Sequence, residues 1–208
     1  MTARSWIRLL ALMVTLSAAP ADGGERPVVL VLGDSLSAAY GIPRERGWVH
    51  LLARRLEPRG YRVVNASISG DTSRGGLARV DDLLARHRPD WLLLELGAND
   101  GLRGIATEET RRNLEAIVAR ARDAGARVVL LGIRLPVNYG PVYRERFEAV
   151  YRDLAEDHDL PLLPFLLDGV VDQLQEDGLH PRAEAQPRIL ENVWGVLEPA
   201  LAADGSPS

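Results

Sequence analysis

The chain has 208 residues, 46% of them hydrophobic and 26% charged. That balance suits one soluble domain with a substantial core and excludes disordered or collagen-like architectures. Cysteine and lysine are both absent, all 25 basic residues being arginine, which removes disulfides, thiolate catalysis, cysteine-ligated zinc, a Walker lysine, a Schiff-base lysine and a serine–lysine dyad. The net charge is −4 with no basic run, so no nucleic-acid partner is expected.

Residues 1–21 read as a signal peptide. Arg4 and Arg8 precede a short apolar run from Leu9 to Leu16, and Ala19-Pro20-Ala21 supplies a small-x-small cleavage site. The run falls short of the ~20 helical residues that cross a bilayer, and no cysteine follows it to carry a lipid. The expectation is export to the periplasm or beyond, release after cleavage, and no stable membrane insertion. The mature domain, 22–201, is then more acidic still, because residues 1–21 carry two arginines and no acid. Residues 202–208, small and polar, read as a fraying tail.

Within the domain, apolar runs alternate with amphipathic stretches. Strands are expected at Pro27–Leu32, Tyr61–Asn65, Trp91–Leu96, Arg127–Leu131 and, most weakly, Leu160–Leu163. Runs this short, bounded by Gly or Pro, suit strands buried on both faces. Helical spacing appears between them: Trp48, Leu51, Leu52 and Leu56; then Leu77, Val80, Leu83 and Leu84; then Leu114, Ile117, Val118 and Ala121; then Phe147, Val150, Tyr151 and Leu154. Ile189, Val193, Val196 and Leu197 close the chain. The alternation predicts an α/β fold, a three-layer α/β/α sandwich around a flavodoxin-like parallel sheet of about five strands.

Ligands of open parallel sheets bind beyond the carboxyl ends of the strands. Four of those ends carry reactive groups: Gly33-Asp34-Ser35-Leu36-Ser37, Ser67-Ile68-Ser69-Gly70-Asp71, Gly97-Ala98-Asn99-Asp100 and, past a loop-rich segment, Asp177-Gly178-Leu179-His180-Pro181. Each motif alone has a bland explanation, such as a turn, a cap or an exposed histidine. Together they supply the parts of an acyl-transfer site. Ser35 is the candidate nucleophile. Asp177 and His180, three apart, fit on one turn, where the carboxylate can fix the imidazole and leave Nε2 facing Ser35. The amides of Ser35 and Gly70 and the carboxamide of Asn99 are candidate oxyanion donors. His50, His87 and His158 lie in helix-like stretches without metal-ligand spacing. The G-x-S-x-G elbow is missing, because position 37 is serine, and no G-x-G-x-x-G opens a helix. Asn65-Ala66-Ser67 matches a glycosylation sequon and is read as chance.

These blocks resemble the SGNH, or GDSL, hydrolase family, whose four motifs carry Ser, Gly, Asn and His. Ser35, Gly70, Asn99 and His180 stand at those positions, with Asp177 at the triad acid. Ile133-Arg134-Leu135-Pro136-Val137-Asn138-Tyr139-Gly140 extends the likeness, which spans nearly the whole mature chain. Ala98 stands where glycine is expected in near relatives. The resemblance implies the three-layer fold, a monomer, no cofactor and no metal. It also implies hydrolysis of small acyl esters and thioesters, including lysophospholipids and aryl esters. Leu102, Ile105, Leu135, Pro136, Val137 and Tyr139, on loops after the third and fourth strands, are candidates to line an acyl groove. A carbohydrate O-acetyl esterase with the same machinery, or a non-catalytic binding module, are the alternatives.

Overall fold

The computed structural model describes residues 26–203; the signal-peptide expectation lies outside them. Five strands form, β1 (Val28–Gly33), β2 (Arg62–Asn65), β3 (Trp91–Glu95), β4 (Arg127–Leu131) and β5 (Leu162–Leu163). They pair in parallel in the order β2-β1-β3-β4-β5. The helices are α1 (Trp48–Leu56), α2 (Ser73–His87), α3 (Ala98–Leu102), α4 (Thr107–Asp123), α5 (Pro141–Asp157) and α6 (Gln186–Ala203). The α/β sandwich expected from the sequence is the architecture that forms.

Central strands β1 and β3 are buried at every position. Helices cover both of their faces and strands flank both of their edges, so neither face alternates with polar residues. Edge strand β2 is half-exposed. On one face α1 packs against α6; on the other α4 packs against α2 and α5. The buried stripe of α1, Trp48, Val49, Leu52 and Leu56, follows the i, i+3/i+4 spacing visible in the sequence. Trp48 also ties elements together: its backbone N–H donates to Gln186 Oε1 at 2.9 Å and its indole N–H to the Leu36 carbonyl at 3.2 Å. Each fully buried Leu or Val adds roughly 1.5–3 kcal/mol relative to exposure, so the sheet core is the main source of stability. Among the described residues no helix is long and apolar enough to cross a membrane.

Two elements differ from expectation. Strand β5 is reduced to Leu162–Leu163, because Pro161 has no N–H to give to a ladder. Helix α3 stands where the sequence reads as a strand-end loop; five residues carry no periodicity, and tertiary bonds hold them instead. Asp100, 1% exposed, accepts from the Ser73 backbone N–H at 2.8 Å and from the Ser73 hydroxyl, joining α3 to the start of α2. Helix α6 continues through Ala202 and Ala203, two residues into the stretch read as tail.

Parallel register places the ends of β1 and β3 side by side, Gly33 against Glu95. The order of the sheet reverses here: β1 leads outward to β2, and the chain then crosses back to β3. This is the topological switch point at which such sheets open a crevice. Gly97 turns the chain from β3 into α3 at φ 118°, a region that L side chains rarely adopt. A Cβ there would strike the Tyr151 hydroxyl, which is buried and donates to the Leu96 carbonyl at 2.9 Å. Gly97→Ala is therefore expected to destabilise the protein by roughly 2–4 kcal/mol; a urea midpoint within error of wild type would contradict this account of the turn.

Candidate active site

Ser35 leaves the end of β1 on a tight turn in which Ala38 N–H bonds the Asp34 carbonyl at 2.9 Å and Leu36 N–H bonds Asp34 Oδ1 at 3.0 Å. The Asp34 side chain thus caps its own turn and aims the serine hydroxyl outward. From the other end of the chain, the segment carrying His180 folds back as a short antiparallel bridge between Leu174 and Pro181. Gln175 N–H donates to the His180 carbonyl at 2.7 Å. The Gln175 side chain donates to the Tyr40 carbonyl at 2.9 Å, bracing the histidine loop against the serine segment.

The three candidate residues meet there. Ser35 Oγ lies 2.8 Å from His180 Nε2, and His180 Nδ1 lies 2.6 Å from Asp177 Oδ2. A carboxylate accepts only, so Nδ1 carries the proton and Nε2 accepts from the serine hydroxyl. Asp177 Oδ1 also accepts the backbone N–H groups of Leu179 at 2.9 Å and His180 at 3.0 Å. Burial is the largest single influence on the Asp177 carboxyl and pushes it up. The His180 amide, the His180 ring and the Leu179 amide outweigh that and hold it down at about 2. Asp177 therefore stays ionised wherever His180 needs it. The Tyr40 ring covers the imidazole, its centroid 4.4 Å away.

Ser35 and Gly70 line the same cavity, and neither backbone N–H donates to an acceptor among the described residues. Gly70 sits at φ 80°, a left-handed turn that glycine adopts without a Cβ penalty; Arg103 Nη2 secures its carbonyl at 2.9 Å. Asn99 is placed differently. Its Nδ2 group donates to Asp34 Oδ2 at 3.0 Å and to the Asp71 carbonyl at 2.9 Å, so both of its N–H bonds are committed to the protein.

The cavity over Ser35 has a volume of about 800 Å³ and mostly apolar walls. Of the candidate groove residues, Leu102, Leu135, Pro136 and Val137 line it. Ile105 and Tyr139 do not: the Tyr139 hydroxyl turns away to the Leu102 carbonyl at 3.0 Å, and the Ile105 amide bonds the Asp100 carbonyl at 2.9 Å. Tyr139 packs against the hydrophobic core instead.

The GDSL-like Lipase/Acylhydrolase family pattern matches residues 31–187, which include every group just described. The chain belongs to that family. It is 53% identical over 178 residues to "Esterase TesA" of Pseudomonas aeruginosa (strain PAO1), covering 83% of this chain and 89% of that one. It is 44% identical over 199 residues to "Thioesterase 1/protease 1/lysophospholipase L1" of Escherichia coli (strain K12), covering 94% and 93%. Among solved structures, the psychrotrophic esterase EstA from Pseudoalteromonas sp., in a form inhibited by monoethylphosphonate, superposes with a TM-score of 0.80. The two are 40% identical, and the match covers 84% of this chain and 98% of that one.

As a GDSL-like acylhydrolase the chain shows several site features that sequence reasoning missed. The far wall of the cavity comes from Phe165, Leu167, Val171, Leu174 and Leu179, in a segment without periodicity that reads only as loop. Tyr40 and Gln175 act through ring and carbonyl contacts that no spacing rule marks. Arg134 stacks over Phe165 at 5.0 Å while pairing with Glu148 at 3.2 Å, so it stiffens the rim. The large hydrophobics exposed among the described residues are Tyr40, Ile68, Val137, Val142 and Val171. Three of them wall this cavity and a fourth, Ile68, adjoins its lining residue Ser69. The mouth, like the interior, is apolar.

Proposed function

We infer that the protein is a serine hydrolase of acyl esters and thioesters that works through an acyl-enzyme on Ser35. The observation that carries the reading is the unbroken relay Ser35–His180–Asp177 at the edge of an apolar cavity that also holds two unengaged amides. In the first step the Ser35 hydroxyl proton passes to His180 Nε2 while Oγ bonds the acyl carbon, and the carbonyl electron pair moves onto oxygen. The Ser35 and Gly70 amides donate to that oxyanion; one fixed donor of this kind is worth ~2.7–4 kcal/mol. Asn99 joins them once one of its N–H bonds swings from Asp34 or Asp71. The tetrahedral species collapses, and the alcohol or thiol leaves with the proton from His180. Water then repeats the sequence, His180 taking its proton, and frees the acid.

The names of the relatives extend the substrate range to aryl esters and lysophospholipids. A cavity of about 800 Å³ with an apolar mouth supports acyl chains longer than acetate, against the reading as a carbohydrate O-acetyl esterase. One chain supplies the whole relay, which supports action as a monomer.

We propose in addition that residues 1–21 direct the chain to the periplasm or outside the cell. The arginine-led apolar run and the Ala19-Pro20-Ala21 site support this. N-terminal sequencing of protein secreted by its host should begin at Asp22 or within two residues of it; an intact Met1 on protein from the soluble cytoplasmic fraction would overturn the proposal.

With purified mature protein, turnover of acyl thioesters and nitrophenyl esters should rise as the acyl chain lengthens beyond acetyl. Ser35→Ala should lower it by roughly 10⁴-fold or more while leaving the circular dichroism spectrum unchanged. Near-wild-type turnover by that variant would rule out the serine assignment, and a sharp preference for acetate would favour the O-acetyl esterase.

A further inference from the structure

Behind the relay lies a second ionisable group for which the reaction sequence has no use. Glu95, the last residue of β3, is completely buried, and Asp34, directly before the candidate nucleophile, is completely buried beside it. Two carboxylates sharing a dry site cannot both carry charge without a compensating cation. None of the cations among the described residues is hydrogen-bonded to Glu95. The guanidinium on this side of the sheet, Arg79, is committed to Asp71 at 2.7 Å and to the carbonyls of Ala66 and Gly33. The other titratable groups facing the pair are Tyr151 from α5, whose hydroxyl donates to the Leu96 carbonyl, and Asp71 before α2, together with His180 across from Asp34; Asp100 from α3 lies near Tyr151. His180 is engaged with Ser35 and Asp177.

Hydrogen-bond accounting decides where a proton must sit. Asp34 is satisfied as a carboxylate: Oδ1 accepts from Leu36 N–H at 3.0 Å and Oδ2 from Asn99 Nδ2 at 3.0 Å. Glu95 is lopsided. Its Oε2 accepts twice, from the Asp34 backbone N–H at 3.2 Å and the Ser37 hydroxyl at 2.7 Å, while its buried Oε1 receives no donor at all. An oxygen that accepts nothing in a dry site is a costly orphan as O⁻ or C=O. As O–H it is a donor, and the other completely buried carboxyl group beside it is that of Asp34.

We propose that Glu95 is a neutral carboxylic acid in the working protein, with its proton on Oε1 donated to the Asp34 carboxylate, and that this internal acid is a positioning residue for the turn that carries Ser35. The chain of bonds is continuous. Glu95 Oε2 holds the Asp34 amide and Ser37 on either side of the serine; Asp34 holds the Leu36 amide and, through Oδ2, Asn99. Gly33 completes the fit, since a Cβ at that position would lie 2.6 Å from Glu95 Oε2. Ionisation behaviour agrees. Burial first, and the Asp34 charge second, push the Glu95 carboxyl well above its ordinary value. Burial also raises Asp34, to about 6, against the pull of the Leu36 and Asn99 bonds. At neutral pH the pair then holds one proton and one charge.

A carboxyl whose folded value is raised keeps its proton in the native state after the unfolded chain has lost it at about pH 4.3. Its contribution to stability is therefore present at low pH and falls as pH rises toward the folded value. Between about pH 6.5 and 8 the unfolding equilibrium constant of wild type should rise by up to tenfold per pH unit relative to Glu95→Gln, which has no proton to lose. Equal slopes for the two proteins would overturn the proposal.

A direct reading that needs no variant is ¹³C NMR of the ligand-free protein labelled at the glutamate carboxyl carbon. One resonance should stay at the protonated position at neutral pH, and its absence would equally overturn the assignment. The positioning role rests on the Ser35 reading and is tested by rescue: Glu95→Gln should keep kcat within about threefold of wild type with an unchanged pH profile. Glu95→Ala, if it folds, should lose at least tenfold in kcat with little change in KM. A Gln variant as impaired as the Ala variant would overturn the role while leaving the protonation result standing. Loss of activity on Ser35→Ala is independent of both.

Discussion

One hydrogen bond, from the Ser35 hydroxyl to His180 Nε2, joins residues 145 positions apart. Its geometry has to be maintained by everything between them. The serine is fixed by β1, a strand buried on every side, and the histidine by a loop braced through Leu174, Pro181 and Gln175. The parallel sheet makes the meeting possible, because it delivers the ends of β1 and β3 to the same edge at the point where strand order reverses. Trp48 connects the two ends of the chain from beneath: it bonds both the Leu36 carbonyl and Gln186 at the start of α6. Core packing and site geometry are therefore one structural problem at this edge of the sheet.

The division of charge around the serine follows from exposure. Asp177 is partly exposed and takes two backbone N–H bonds, so it remains a carboxylate and can orient and charge-stabilise His180. Asp34 and Glu95 lie in the dry interior on the opposite side of the same turn. There the low dielectric favours a single charge. Three acids near one nucleophile are kept distinct by solvent access, one pair of carboxyl groups serving as scaffold and a separate carboxylate serving the imidazole.

Much of this was legible in the sequence where short-range rules apply. Unbroken apolar runs marked β1, β3 and β4 because strands buried on both faces cannot alternate. The stripe of Trp48, Leu52 and Leu56 marked α1, and reactive residues placed just after strands marked one edge of the sheet as the site. Ser35, Gly70, Asp177 and His180 are brought together there. What stayed hidden depends on contacts distant in sequence. Helix α3 has too few residues to show a period and is held by Asp100. The cavity wall from Phe165 to Leu179 is irregular backbone folded over the sheet edge. Ile105 and Tyr139 sit on the right loops but do not line the cavity, a distinction that spacing does not make. Glu95 reads in sequence as the polar interruption of a strand, and only its burial reveals an acid without a cation.

The relay depends most on the state of the His180 ring, and ¹⁵N NMR of histidine-labelled protein near neutral pH observes it directly. The relay predicts a neutral His180 protonated at Nδ1, with a strongly deshielded Nδ1 proton that Asp177→Asn abolishes. A ring protonated at Nε2 instead, or one whose signals are unchanged by that substitution, would contradict it.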